Sequence, residues 1–240
     1  MDLYKNIFIR KSIRKYDGTK FSEERLNEIK DVVNNFEKLY DDVVLEYRIV
    51  EQTKGRFTID APHHLIISGH GDSRDQEAAG FLFEQLVLWF DANGIGSVWQ
   101  GNAKDDTKNK DKNKDDIITI AFGKAQEANI NRDLNSFKRK EINEITNISN
   151  DIMEAVRLSP SGLNLQPWYF EEDENYINVY EKKLGLPFGA IYKLTKVDLG
   201  IALAHYMIAC SHFNKTFDFI KDDTIKNKKG YKPFGKIKKN

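Results

Sequence analysis

Ten residues in the second half of the chain combine turn-forming residues with two side-chain amides. They read Ser-Pro-Ser-Gly-Leu-Asn-Leu-Gln-Pro-Trp over 159–168, directly after an amphipathic run. Pro167 disfavours helix at the residue before it, and in an extended chain Asn164 and Gln166 project to the same side. Because amides both donate and accept hydrogen bonds, the pair suits a planar heterocycle such as a flavin better than a phosphate or a metal. The plainer alternative is a helix-terminating loop whose amides only satisfy nearby backbone.

A second candidate for binding chemistry lies near the N-terminus, in Arg-Lys-Ser-Ile-Arg-Lys-Tyr at 10–16. If this segment is extended, Arg10, Ser12 and Arg14 project to one side. Two guanidiniums flanking a hydroxyl suit phosphate oxygens, because arginine offers a fixed fork of donors. The alternative is a solvated basic strand.

Together the two segments resemble the FMN-dependent nitroreductase superfamily. Residues 159–168 are similar to its Pro-Ser-x-x-Asn-x-Gln-Pro-Trp signature, and 10–14 to its Arg-Arg-Ser-x-Arg segment, with Lys11 in place of the second arginine. The resemblance implies that Arg10, Ser12 and Arg14 hold the FMN phosphate and ribityl chain. It also implies that the amides of 164 and 166 hold ring or ribityl polar atoms, and that Trp168 anchors the loop in the core.

Two weaker segments extend the resemblance. The Gly-Ile-Gly-Ser turn and strand at 94–101 is similar to a family segment that leads to a backbone N–H facing flavin N5, here Gly101 beside Gln100. The basic run at 137–140 is similar to a phosphate-contacting segment, with Glu141 where the family has proline. The cofactor-binding residues that the resemblance implies are Arg10, Lys11, Ser12, Arg14, Gln100, Gly101, Lys138, Arg139, Pro160, Ser161, Gly162, Asn164 and Gln166.

The helices and strands that the sequence predicts around these residues indicate an α+β fold of antiparallel or mixed sheets flanked by helices. The periodicity predicts helices over 3–9, 22–40, 76–93, 151–158 and 196–213, and strands over 43–50, 61–69, 117–122 and 176–180. Residues 103–116 are predicted to be a solvated loop, and the Lys-rich tail after Lys221 either an arm packed on the other half or a disordered end. Adjacent His63 and His64 point to opposite faces of a strand, so we expect no metal site.

The chain also indicates an internal duplication. Ile29 and Gly80 in the first half match Ile152 and Gly200 in the second, so 61–123 and 151–214 are interpreted as diverged copies of one α+β unit. We therefore expect two intertwined nitroreductase-like halves, 1–136 and 137–240.

Each half lacks one part of the family's site. Residues 37–41 read Glu-Lys-Leu-Tyr-Asp where the signature loop belongs, and 214–218 read Asn-Lys-Thr-Phe-Asp where the segment ending at Gly101 has its counterpart. Ordinary members of the superfamily are homodimers with FMN at the subunit interface. The sequence therefore predicts a fused, monomeric pseudo-dimer that retains one FMN site between its halves.

The resemblance implies a flavin enzyme that takes hydride from NADH or NADPH and reduces a quinone or nitroaromatic, with no catalytic side chain demanded. A flavin-sequestering protein without turnover and a purely structural α+β domain are the alternatives. The chain has 37 basic and 37 acidic residues, which gives no reason to expect nucleic-acid or membrane binding. The single cysteine and the lack of an apolar signal core predict a cytoplasmic protein with a small-molecule substrate.

Overall fold

The computed structural model describes residues 1–55, 58–101, 103–105 and 115–239. Its helices are α1 (Tyr4–Ile7), α2 (Glu23–Val33), α3 (Ser73–Ala92), α4 (Ile142–Ile145), α5 (Asp151–Arg157), α6 (Phe188–Ile191) and α7 (Thr195–His212). Its strands are β1 (Glu46–Val50), β2 (Thr53–Lys54), β3 (His63–Gly69), β4 (Gly96–Gln100), β5 (Lys104–Asp105), β6 (Asp115–Gly123), β7 (Trp168–Glu172), β8 (Tyr176–Lys182), β9 (Phe219–Lys221) and β10 (Tyr231–Lys238).

Two four-stranded sheets share one topology. The first has the order β1-β3-β6-β4 and the second β7-β8-β10-β9, and all strand pairs within them are antiparallel. If the strands of each sheet are counted along the chain, both sheets have the order first, second, fourth, third. In both, a long helix connects the second strand to the third, α3 in one half and α7 in the other. The short strands β2 and β5 form a separate ladder.

The two long helices lie between the sheets and hold the halves together. α3 packs against β4 and β6 as well as against α7, while Tyr206 of α7 stacks on Phe170 of β7 with ring centroids 6.0 Å apart. Because both helices are covered on several sides, their apolar residues are not confined to one stripe, and one hydrophobic core runs through both halves.

Glycines allow the close crossing of α3 and α7. A Cβ on Gly80 would overlap the carbonyl oxygen of Val197, and a Cβ on Gly200 would overlap the carbonyl oxygen of Glu77. The sequence matched these two glycines with each other, and the structure places them at the same helix crossing.

A series of buried hydrogen-bond contacts also stabilises the α3–α7 interface. Glu84 of α3 faces the Nε2 atom of His205 of α7 at 3.0 Å, and it accepts a hydrogen bond from Trp99 Nε1 at 2.8 Å. The other ring nitrogen of His205 lies 2.9 Å from the carbonyl oxygen of Ala155. These contacts satisfy a carboxylate and an imidazole that are almost wholly removed from water.

Several boundaries differ from the sequence predictions. α2 ends at Val33 rather than near Tyr40, because consecutive asparagines tighten its end: Asn34 N–H donates to the carbonyl of Asp31, and so does the Asn35 side chain. The predicted loop at 103–116 is shorter, since strands β5 and β6 take its two ends, and residues 106–114 lie outside the described residues.

Both predictions for the Lys-rich tail are wrong. β10 is neither disordered nor an arm on the other half; it is an inner strand of its own half's sheet, between β8 and β9. Its inward residues Phe234 and Ile237 are buried, while its lysines reach the surface. The Nζ atom of Lys221 lies 3.7 Å from the centroid of the Phe234 ring. The lysine side chain of β9 therefore covers a buried aromatic ring of β10.

Candidate active site

A cavity of about 180 Å³ lies where the two halves meet. Its wall includes six of the predicted cofactor-binding residues, three from each half: Ser12, Arg14, Gly101, Pro160, Ser161 and Gly162. Apolar residues of β4, β6 and α7 complete much of the wall. Ligand pockets usually measure ~300 Å³ or more. A cavity of this size therefore encloses only part of a ligand that would fill such a pocket.

The N-terminal segment reaches the cavity because it is docked on β4. Ile13 N–H donates to the carbonyl of Ser97 at 3.0 Å, and the buried Ile13 side chain packs over Gly96, where a Cβ would lie 2.8 Å from its Cγ2 atom. With Ile13 turned into the protein, its neighbours Ser12 and Arg14 line the cavity, as the alternation of an extended chain predicts.

The signature loop is not extended, and that local prediction is wrong. Residues Gly162–Asn164 form a 3-10 turn, and positive φ angles occur at Leu163 (53°), Asn164 (56°) and Gln166 (43°). Positive φ angles at three non-glycine residues of one loop are unusual, and the surrounding structure must stabilise them. Two hydrogen bonds do so: Gly162 N–H donates to Asp198 Oδ1 at 3.0 Å, and Gln166 N–H donates to Ser161 Oγ at 2.9 Å.

The two amides of the loop therefore have different surroundings. Gln166 is fully buried; its Oε1 accepts from Lys140 N–H at 2.7 Å and its Nε2 donates to the carbonyl of Arg157 at 2.9 Å. Asn164 is more accessible, and it accepts a hydrogen bond from Arg139 and donates one to the carbonyl of Lys138 at 2.6 Å. The structure thus uses the Gln166 amide within the protein and leaves Asn164 near the surface of the site.

We expect Gln166→Ala to lower the free energy of unfolding by ~2–4 kcal/mol, because it leaves a buried N–H and a buried C=O without partners. Urea denaturation measures the loss, and Asn164→Ala, at an accessible position of the same loop, serves as the control with a smaller effect. If Gln166→Ala is as stable as the control and differs only in ligand binding, its role is at the ligand instead.

Trp168 follows the loop and is fully buried, as the sequence predicts for an anchor. It begins β7, with Phe170 also facing the core.

Three arginines cluster beside the loop: Arg10, Arg132 and Arg139. Arg10 is 4% exposed, and its Nη1 atom has no hydrogen-bond partner among the described residues. Burial and the neighbouring Arg10 lower the pKa of Arg132 to about 10; burial, Arg132 and Arg10 lower that of Arg139 to about 10 as well. Arg132 and Arg139 remain charged at neutral pH, and the cluster favours an anion.

Two acidic groups act on this cluster: Glu84 acts on Arg139, and Asp91 interacts with Arg10. Burial raises the pKa of Asp91, while hydrogen bonds from Asn6 and Asn131 and the charge of Arg10 oppose the rise. The Asn6 amide donates to Asp91 Oδ2 at 2.9 Å. One carboxylate held by two amides does not supply a hydrogen bond to the buried Arg10 Nη1.

Three predicted residues have other placements. Lys11 pairs with the exposed Glu127 at 2.9 Å, Gln100 Oε1 accepts from Ile59 N–H at 2.8 Å, and Lys138 contributes its carbonyl to Asn164. None of them is among the residues that line the cavity.

Sequence reasoning missed three residues of the site. Arg132 lies between β6 and α4, in a segment for which the sequence predicts no role, and it reaches the cluster because Arg132 N–H donates to the carbonyl of Ile9 and Asn131 pairs with Arg10. Tyr192 and Asp198 line the cavity beside Gly162. The one available signal was an acidic residue, Asp198, directly before the apolar run of α7.

Comparison with known proteins places this arrangement in a family. The model of the family described as "Putative TM nitroreductase" matches residues 2–210. The chain belongs to this nitroreductase family. Membership indicates an oxidoreductase, and the α+β fold with two antiparallel sheets is nitroreductase-like.

One solved structure agrees with the family at the level of the fold, and a second one is similar over about half of the chain. A putative nitroreductase from Thermotoga maritima is 22% identical, with a TM-score of 0.68 over 99% of this chain and 93% of its own. An FMN-dependent nitroreductase from Clostridium difficile is 17% identical, with a TM-score of 0.45 over 55% of this chain and 93% of its own. No curated protein matches the chain.

Within the described part of this nitroreductase, no helix has the length and apolar character needed to cross a membrane. The two adjacent histidines at the start of β3 have separate partners: His63 Nε2 accepts from Phe21 N–H at 2.8 Å, and His64 Nε2 lies 3.1 Å from the carbonyl oxygen of Ile59.

Proposed function

We propose that this nitroreductase is an FMN-dependent oxidoreductase that takes hydride from NADH or NADPH and reduces quinone- or nitroaromatic-type acceptors. The observation that carries the proposal is the cluster of Arg10, Arg132 and Arg139 beside a cavity lined by both halves. The buried, unpaired Nη1 of Arg10 favours a dianionic phosphate, because a buried guanidinium without a hydrogen-bonded anion is costly.

The residues present fit FMN as one connected site. Asn164 links the two parts: it accepts a hydrogen bond from Arg139 of the cluster and lies two residues after Gly162 of the cavity wall. The phosphate would bind at the cluster, while Ser12, Arg14 and the loop at 160–162 would hold the ring and ribityl region. Gly101, which also lines the cavity, would present its backbone to the ring.

When bound, FMN supplies the hydride chemistry, and the protein supplies binding, orientation and electrostatics. Arg14 lies at the cavity rather than in the buried cluster, so its charge acts on the ring or ribityl region. The apolar side chains of β4, β6 and α7 exclude water from one side of the cavity.

We further infer that the chain is a fused pseudo-dimer. Support comes from the common strand order of the two sheets and from the crossing of Gly80 with Gly200. The segments at 37–39 and 214–218, interpreted as the degenerate counterparts of the site, line a common open groove of about 690 Å³. One site would then survive between halves 1–136 and 137–240. The monomeric state and the cytoplasmic location stay predictions.

The test begins with the colour of the purified protein. We expect flavin absorbance that survives gel filtration, or that returns when FMN is added to the stripped protein. We then expect steady oxidation of NADH or NADPH with menadione or a nitrofuran. A protein that takes up no FMN contradicts the proposal, whereas one that binds FMN and shows no turnover with either reductant is a sequestering protein.

A further inference from the structure

Asp198 is a buried carboxyl group in the cavity wall, and both of its oxygens are engaged. Gly162 N–H donates to Oδ1 at 3.0 Å, and Tyr192 O–H donates to Oδ2 at 2.8 Å. The side chain is 2% exposed, yet Asp198, Tyr192 and Gly162 all line the cavity. The Tyr192 hydroxyl lies directly over Gly162, where it would overlap a Cβ.

Burial raises the pKa of Asp198 to about 8, although the hydrogen bonds from Gly162 and Tyr192 oppose the rise. Burial and the charge of Asp198 raise the pKa of Tyr192 as well, so its phenol remains protonated. Near neutral pH the pair therefore holds two protons, one on the carboxyl group and one on the phenol.

The charged side chains on the elements packed around Asp198 contact other groups. Lys196 of α7 lies 3.0 Å from Glu181 of β8 and 3.8 Å from Glu77 of α3. Arg14 faces the cavity from the first half, and its Nη1 atom donates to the carbonyl of Ser12 at 3.4 Å. Gly162 and Tyr192 are thus the groups that contact Asp198 directly.

The direction of the Tyr192 hydroxyl depends on the state of Asp198. An ionised carboxylate takes the phenolic proton as a hydrogen bond, as the 2.8 Å contact describes. A neutral carboxyl group has a proton of its own on the oxygen that faces the phenol, and donating it to Tyr192 frees the phenolic O–H for another acceptor. Because Tyr192 lines the cavity, that acceptor is a ligand oxygen.

We propose that Tyr192 and Asp198 form a proton relay that protonates the oxygen of a quinone-type acceptor stacked on the flavin ring at the open side of this cavity, an inference that rests on the proposed function. FMN, when bound and reduced, would supply the hydride, and the acceptor oxygen would then need a proton. Tyr192 transfers its phenolic proton to that oxygen and takes the carboxyl proton of Asp198. The carboxylate that remains regains a proton from water before the next cycle.

The first test uses the flavin-free protein. In the wild type, the infrared band of a protonated carboxyl group should disappear as the pH rises through about 8, and Asp198→Asn should lack it. Since the folded-state pKa is raised above the unfolded value, the stability that the neutral acid contributes is lost as the pH rises from about 4 to about 8. The melting temperature of Asp198→Asn relative to wild type should therefore increase over that interval. An Asp198 that is ionised throughout it overturns the relay.

The second test separates proton delivery from electron delivery. Tyr192→Phe in the FMN-loaded protein should lower kcat for menadione by ~100-fold, the scale of general acid catalysis. Its reduction of ferricyanide, which takes electrons without protons, should stay within a factor of about two. Asp198→Asn keeps the phenolic O–H free but has no proton to replace it, so its menadione activity should fall and lose the wild type's decline above pH ~8. Tyr176→Phe, outside the cavity wall, is the control.

The outcomes distinguish the inference from the proposed function. Normal menadione turnover by Tyr192→Phe overturns the relay and leaves the flavin enzyme intact. A parallel loss with menadione and ferricyanide shows that the tyrosine only positions the cofactor, which also overturns the relay. A wild-type protein that reduces neither acceptor refutes the proposed function itself, while the infrared titration still reports whether Asp198 holds its proton.

Discussion

Replacing Arg10 by glutamine is expected to weaken FMN binding by ~30- to 1,000-fold, because the change removes a buried charge-assisted contact worth ~2–4 kcal/mol. The loss should be confined to the phosphate. Riboflavin, which has the same ring and ribityl chain but no phosphate, should bind the variant and the wild type with affinities within about threefold of one another. Fluorescence quenching of each flavin measures both affinities.

Lys11→Gln is the matched control, since it removes a neighbouring positive charge whose partner is the exposed Glu127. Its FMN affinity should change by less than about threefold, because exposed ion pairs contribute little. Arg132→Gln, which removes another member of the cluster, should resemble Arg10→Gln. Equal losses of FMN and riboflavin in Arg10→Gln would mean that the arginine supports the fold rather than the phosphate, and the urea midpoint of each variant checks for that case.

The contrast between Arg10 and Lys11 shows what the sequence predicts well at this site. The alternation of a short docked segment correctly brought Ser12 and Arg14 to one cavity, because period-two geometry is local. The environment of Arg10 is not local. Its burial and its neighbours Arg132 and Arg139 depend on contacts with segments more than a hundred residues away, which no spacing in the sequence reveals.

The signature loop shows the complementary limit. Its residue types predict a turn, and Pro160 to Gly162 do line the cavity. The directions of its amides follow from positive φ angles at Leu163, Asn164 and Gln166, and these depend on Asp198 and on a serine hydroxyl within the loop. Local rules place an amide on a face only if the chain is regular, and here the tertiary contacts make it irregular.

For the fold, long periodic segments were predicted most accurately. Helices α3 and α7 begin and end within a few residues of the predictions, since their apolar runs are long. The ends of α3 are also marked by the polar caps Asp72 and Asn93. The strands β9 and β10 were missed because lysines on the outward side of a strand resemble a solvated tail. Only the buried Phe234 and Ile237 distinguish such a strand from a solvated tail, and the residues that these two side chains pack against lie on other strands.

Gly80→Ala should lower the free energy of unfolding by roughly 2–4 kcal/mol, the upper range for overpacking a close backbone contact. The added methyl group would overlap the carbonyl oxygen of Val197, an atom of the α7 backbone that cannot rotate away as a side chain does. The loss should exceed the ~1 kcal/mol that alanine gains over glycine in a helix interior. Chemical denaturation measures the difference.

Gly185→Ala is the control, because nothing lies within 4 Å of its Cβ position and its backbone is not in the left-handed region. Its unfolding free energy should stay within about 0.5 kcal/mol of the wild type. The same crossing connects stability to the site: Val197 and Asp198 line the cavity, so α7 cannot move away from Gly80 without moving that wall. Gly80→Ala should therefore also weaken FMN binding in the fraction that remains folded. A variant with wild-type stability and affinity would show that the two helices are not in the tight contact described above.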